Sequence, residues 1–118
     1  MKLPNAENAV IDIEKLSGYS LSPTNPKGKH KARLFREKLG MELDDAEILR
    51  QAIQEAILIA EAIERKPTAH GRISRVDFIV GRGKGIIWYE AGVRSGWIIR
   101  TGEDFPRLTT CFNPFKSR

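Results

Sequence analysis

Two histidines, a dense run of cations and a set of arginines at strand-like spacing are the residues in this chain that could do chemistry. His30 and His70 are the natural proton carriers near neutral pH, and two histidines are enough to cleave RNA by attack of its own 2′-hydroxyl. Their separation in sequence leaves their separation in space open. His30 lies within Lys27–Lys38, KGKHKARLFREK, where six cations (Lys27, Lys29, Lys31, Arg33, Arg36, Lys38) face one anion, Glu37. So much like charge repels itself and calls for counter-charge from outside, most commonly phosphate. Lys29, Arg33 and Arg36 fall within about 60° of one another on a helix. Lys31 flanks the apolar stripe Ala32, Phe35 and Leu39, so its stem can be buried while its ammonium reaches a cleft. There it could stabilise charge developing on a phosphorane, or simply snorkel to water.

Several elements must position these groups. Ala9 to Ile11 reads as a short extended stretch, and Ile13 to Leu21 as a short helix weakened by Gly18. Ser22-Pro23-Thr24-Asn25-Pro26 is a turn. The basic run then forms a helix ending at Gly40, a C′ glycine. A third helix begins with Asp44 as N-cap and Glu47 at the third position. It carries Leu49, Ile53, Ala56, Ile57, Ala60 and Ile63 as its buried stripe and ends at Lys66-Pro67. Strands follow: Val76, Phe78 and Val80 alternate with Arg75, Asp77 and Ile79; Gly81–Gly85 is a turn; Ile86–Tyr89 and Val93–Thr101 are extended and interrupted near Gly92; Arg107–Phe112 is the last strand. The expected fold is α+β, with N-terminal helices packed on one face of a C-terminal antiparallel sheet of three to four strands. It forms a single domain over 1–118, helical over about 9–66 and sheet over about 71–113.

Strand alternation assigns faces. With Val76, Phe78, Val80, Val93, Trp97, Ile99, Leu108, Thr110 and Phe112 turned to the helices, the opposite face presents Arg75, Arg94, Arg100 and Arg107, with Asp77, Thr109 and Cys111. Arginine's planar fork suits phosphate. An exposed antiparallel face can also be merely polar, and a bulge at Gly92 or Gly96 would change the assignment. Trp97 is expected in the core, and Trp88-Tyr89 is the more exposed pair, able to stack on bases.

Other chemistries are disfavoured. Gly81-Arg82-Gly83-Lys84-Gly85 lacks the longer phosphate-loop spacing and a following helix. One cysteine and two distant histidines make no metal set, and no Ser-His-Asp order stands out. No cofactor is expected. A single cysteine, Cys111, permits no intrachain disulfide and fits a reducing compartment. No apolar run approaches the roughly 20 residues of a membrane span. The first residues do not read as a secretory signal. A cytoplasmic bacterial protein is therefore expected, with no membrane partner. The formal charge of +5 is uneven: residues 42–64 carry seven acidic side chains against one basic, between two basic segments. That acidic block suits a solvated helix face.

The segments KLSGYSLSPTNPKGKHKARLF and VRSGWIIRTGEDFPRLTTCF together resemble a bacterial family of small domains of unknown function, which occur alone and at the C-terminal ends of polymorphic toxins. The resemblance covers nearly the whole chain. It is most specific at Pro26, Gly28, Lys31-Ala32, Phe35, Trp97, Gly102, Asp104, Pro106-Arg107-Leu108 and Thr110; relatives carry other residues at the position of His30. The helices-then-sheet order is similar to the compact ribonuclease toxins of the barnase, colicin and RelE-like group, an analogy of fold. That likeness implies RNA lying across the open sheet face.

The readings to be separated are three. In the first, a metal-independent endoribonuclease uses Lys31, Arg94 and Arg107 to hold the scissile phosphate, His30 or His70 to move protons and Thr109 to orient the phosphate. Lys27, Lys29, Arg33, Arg36, Arg75 and Arg100 then bind flanking RNA. In the second, the chain binds nucleic acid without cutting it. In the third, it is an interaction subunit whose acidic helix or sheet edge meets a protein encoded nearby.

Overall fold

A computed structural model describes residues 1–114; residues 115–118 of the expected domain lie outside the described residues. Short helical segments at Ala6–Asn8, Leu16–Ser20 and Leu43–Asp45 and two α-helices, α1 (Lys29–Leu39) and α2 (Ala46–Ala56), precede four strands: β1 (Ala62–Thr68), β2 (Gly71–Lys84), β3 (Ile87–Arg100) and β4 (Arg107–Phe112). The strands form one antiparallel sheet in the order β1-β2-β3-β4, and the fold is the expected α+β.

One face of the sheet carries the core. Ala32, Phe35 and Leu39 of α1 and Leu49 and Ile53 of α2 pack with Val76, Val80, Val93, Trp97 and Leu108. Phe35 and Trp97 are buried, and truncating either to alanine would cost about 3–5 kcal/mol. The Trp97 indole N–H donates to Ser95 Oγ at 2.8 Å, and Ser95 donates to the Val76 carbonyl at 2.8 Å, so the polar atoms beneath the ring are paired. Gly40 ends α1 in the left-handed region at φ 62°, as the sequence predicts.

Five local expectations need correction. The third helix was expected to run to Lys66, but α2 stops at Ala56, and Ala62–Thr68 is a strand. Its residues suit a helix intrinsically, yet pairing of Ala62 with Val76 and Ile63 with Arg75 overrides that preference. Ile63 is consequently exposed rather than buried, and Pro67 sits on an edge strand, where a missing N–H is tolerated. The capping box before α2 belongs to Glu42 and Asp45 rather than Asp44 and Glu47, because a short turn, Leu43–Asp45, leads into the helix. Gly81–Gly85 is mostly strand: Lys84 pairs with Ile87, leaving Gly85-Ile86 as the turn of a long β2–β3 hairpin. β3 runs through Gly92 without a break.

The fifth correction bears on the site. Trp97 pairs with Leu108 but Gly96 pairs with Thr110, so Thr109 is an extra residue bulged from β4. Beyond the bulge the faces exchange. Cys111 turns into the core, while Thr110 and Phe112 join the register positions of Gly96 and Arg94 on the opposite face.

Candidate functional site

The N-terminal segment covers the outer edge of β4. Val10 bridges to Arg107, and Ser20 Oγ donates to the Cys111 carbonyl at 2.7 Å. This lays the short helix Leu16–Ser20, which falls within the expected Ile13–Leu21 helix, beside β4 and brings Tyr19 to the strand's edge. The start of α1 is held equally close. A side chain at Gly28 would meet the Tyr19 carbonyl oxygen at 2.2 Å, so only glycine allows this approach.

Lys31 projects from α1 into the junction so formed. Its Nζ donates to Thr110 Oγ1 at 3.1 Å and lies 4.8 Å from the centre of the Tyr19 ring and 5.0 Å from that of Phe112. Among the described residues it has no carboxylate partner. The half-buried Lys31 side chain thus rests on one hydroxyl and two ring faces. Burial, partly opposed by the nearby Lys31 charge, pushes the Cys111 thiol just beneath up to about 12, so it stays a neutral wall.

Two open depressions meet at Thr109. One, of about 450 Å³, includes Asp12, Glu14, Lys15, Tyr19 and Thr110; the other, of about 640 Å³, includes His70, Ile98, Arg100 and Thr101. The exposed Thr109 lines both. Gly96 makes room for this arrangement, since a Cβ there would come within 2.9 Å of Thr110 Cγ2 and 3.0 Å of Thr109 Oγ1.

The arginines share this side of the sheet but are largely committed. Arg94 donates to both carboxylate oxygens of Asp77, at 3.0 and 3.1 Å. Arg75 lies 3.5 Å from the same carboxylate, so two guanidiniums share one anion. Arg107 makes a two-point contact with Glu103 at 2.9 Å, and that guanidinium holds the Glu103 carboxyl below its ordinary range. Arg100 is exposed and makes no ion pair among the described residues.

The structure does not bring all the sequence candidates together. His30, Lys29, Arg33 and Arg36 line a separate groove of about 370 Å³ with Leu21, Pro23 and Met41. Arg33 is 3.9 Å from Glu37. Lys27 is exposed just before α1. His70 and Arg100 lie by Thr109, whereas His30 faces the other groove. Thr110, Tyr19 and Phe112 are the neighbours that residue reasoning did not place: strict alternation turned Thr110 and Phe112 inward. The glycine opposite a double threonine was the available sign of a bulge.

Among the described residues, no group of three or more His, Cys, Asp or Glu side chains could hold a metal ion, and no helix is long and apolar enough to cross a membrane. The fold and this junction define a small α+β domain with a cationic seat at the edge of its last strand. Residues 2–114 match the family described as domain of unknown function DUF6883, and the chain belongs to that family. No curated protein and no solved structure matches it.

Proposed function

We propose that this domain is a toxin-type endoribonuclease whose scissile phosphate sits against Lys31 and Thr110. The observation that carries the reading is the Lys31 ammonium, without a carboxylate partner among the described residues, hydrogen-bonded to Thr110 and bordered by Tyr19 and Phe112. An ammonium and a hydroxyl suit a phosphodiester, and the two rings offer faces for the adjoining bases. Thr109 and Thr110 orient the phosphate. His70 and Arg100, on the other side of Thr109, take the next nucleotide and one of the proton transfers.

The chemistry needs proton carriers and a cation. The RNA 2′-oxygen attacks the adjacent phosphorus and the P–O5′ bond breaks. The 2′-hydroxyl proton passes to a base and the departing 5′-oxygen gains a proton, leaving a 2′,3′-cyclic phosphate and a 5′-hydroxyl. Lys31 offsets the charge that grows on the phosphorane oxygens. Arg94 and Arg107, tied to Asp77 and Glu103, act as flanking charge rather than as the phosphate seat.

A second reading, binding without cleavage, is favoured by the position of His30 in a separate groove, which leaves His70 as the histidine on this side. Incubating purified protein with single-stranded RNA separates the two. Cleavage to cyclic-phosphate ends, lost in Lys31→Met, and growth arrest on expression are expected. Intact RNA at micromolar protein would overturn the enzymatic reading, and retained binding would leave the second.

A further inference from the structure

We propose that the free edge of β2 from Asp77 to Lys84 is a docking site for an extended segment of a partner protein, which adds to the sheet as a further strand. Pairing of β1 with β2 reaches only as far as Ala62 and Val76. Beyond it, the eight residues Asp77–Lys84 pair with β3 on one side and, among the described residues, with no strand on the other. Alternate residues of an antiparallel strand turn their N–H and C=O groups to each side, so this edge offers a row of open backbone donors and acceptors.

The other sheet edges are covered in part. Lys2 bridges to Glu61 next to β1, and Val10 and Ser20 lie against β4. Charges commonly guard an open edge. Here the two cations of the distal strand point elsewhere: Arg82 reaches Asp45 at 3.6 Å, and Lys84 donates to the Gly40 carbonyl at 3.0 Å. The guard is thus drawn to the junction of α1 and α2.

Apolar surface flanks the open backbone. A groove of about 430 Å³ runs between Ala52, Ala56 and Ile59 on one side and Phe78 and Val80 on the other. Ile59 is 77% exposed, and Ile79, turned to the opposite sheet face, is 72% exposed. The alanines leave space for the side chains of an incoming strand. Glu55, on the same wall, makes no ion pair among the described residues. These features specify the occupant: an extended segment of alternating apolar residues with a lysine or arginine opposite Glu55. Main-chain hydrogen bonds supply affinity, and the groove and Glu55 supply selectivity.

The test uses the full chain and an array of labelled peptides alternating valine or isoleucine with threonine, with one lysine moved through the polar positions. In the free protein, alternate amides along Asp77–Lys84 should exchange rapidly with solvent. A binding peptide should protect them. N-methylation of the peptide amides on one edge should weaken binding about tenfold, and on the other edge should not. Ala56→Arg should abolish binding, and Glu55→Lys should shift preference to peptides bearing glutamate, both with RNA cleavage unchanged. Full protection of these amides in the free monomer, or no peptide bound at low-millimolar concentration, would overturn the proposal. Self-association that protects the same amides would also overturn it, by making a second copy the occupant.

Discussion

Lys31 differs from the other cations of its run in what surrounds it. Lys27, Lys29 and Arg36 stand in solvent, whereas Lys31 is half-buried against Thr110, Tyr19 and Phe112. Losing its charge should therefore cost more than losing any neighbour's. Lys31→Met is expected to lower RNA cleavage by about a hundredfold or more with little change in melting temperature, as for removal of one oriented donor from a transition state. Arg94→Ala and Arg107→Ala should lower it by less than about tenfold, since half-exposed paired guanidiniums contribute less. Kinetics on a short RNA of defined sequence checks the ranking, and equal losses at all three positions would contradict it. Cys111 gives a separate residue-scale test. Its folded pKa is raised from 9.0 to about 12 by burial. The stability this contributes is complete below the unfolded thiol's pKa and is lost as pH rises through the folded value, a window from about 9 to about 12. The native thiol should resist alkylation at pH 8, and Cys111→Ala should flatten the alkaline fall in stability that the parent shows.

The element that makes the site is the bulge in β4. Gly96→Ala places a methyl group against both threonines and should destabilise by about 1–3 kcal/mol while displacing Thr109 and Thr110. Gly92→Ala, in the same strand with open space around it, should change neither stability nor cleavage by much. Paired melting and cleavage measurements on the two variants distinguish a positioning role for Gly96 from a general effect of losing glycine. This element also marks how far the sequence can be read. The helix in Lys29–Leu39, its glycine stop and the core positions of Phe35 and Trp97 follow from periodicity, because packing there agrees with local preference. Alternation placed Arg75 and Arg94 on the open face correctly. It failed after Leu108, since one inserted residue reverses every later side chain, and the residue composition of β4 barely registers the insertion. Helical periodicity failed at Ala62–Lys66, where helix-forming residues pair as a strand through contacts distant in sequence. The ion pair of Arg94 was hidden for the same reason: Asp77 is seventeen positions from Arg94 and reaches it only through strand register.

For the molecule as a whole, the acidic segment 42–64 runs through α2 into β1, and Asp12 and Glu14 line one of the two depressions at Thr109. Lys31, Arg100 and the Arg75–Asp77–Arg94 group supply positive charge to the face proposed to meet RNA. Neutralising two to four phosphates of a single strand predicts a slope of about −1.5 to −3 in log affinity against log salt concentration. A titration from low to moderate salt checks it, and affinity independent of salt would exclude a backbone-led contact. The molecule measures 45 Å along its longest axis, and the open edge of β2 begins at Asp77, which also pairs with Arg75 and Arg94. The central claim is that phosphate is held where Lys31 meets Thr110. Its most direct measurement is a nuclear magnetic resonance titration of the labelled chain with a short RNA blocked at its 2′-oxygens. The largest shifts should fall on Tyr19, Lys31, Thr109, Thr110 and Phe112. Shifts centred instead on His30, Arg33 and Arg36, or absent altogether, would contradict the account.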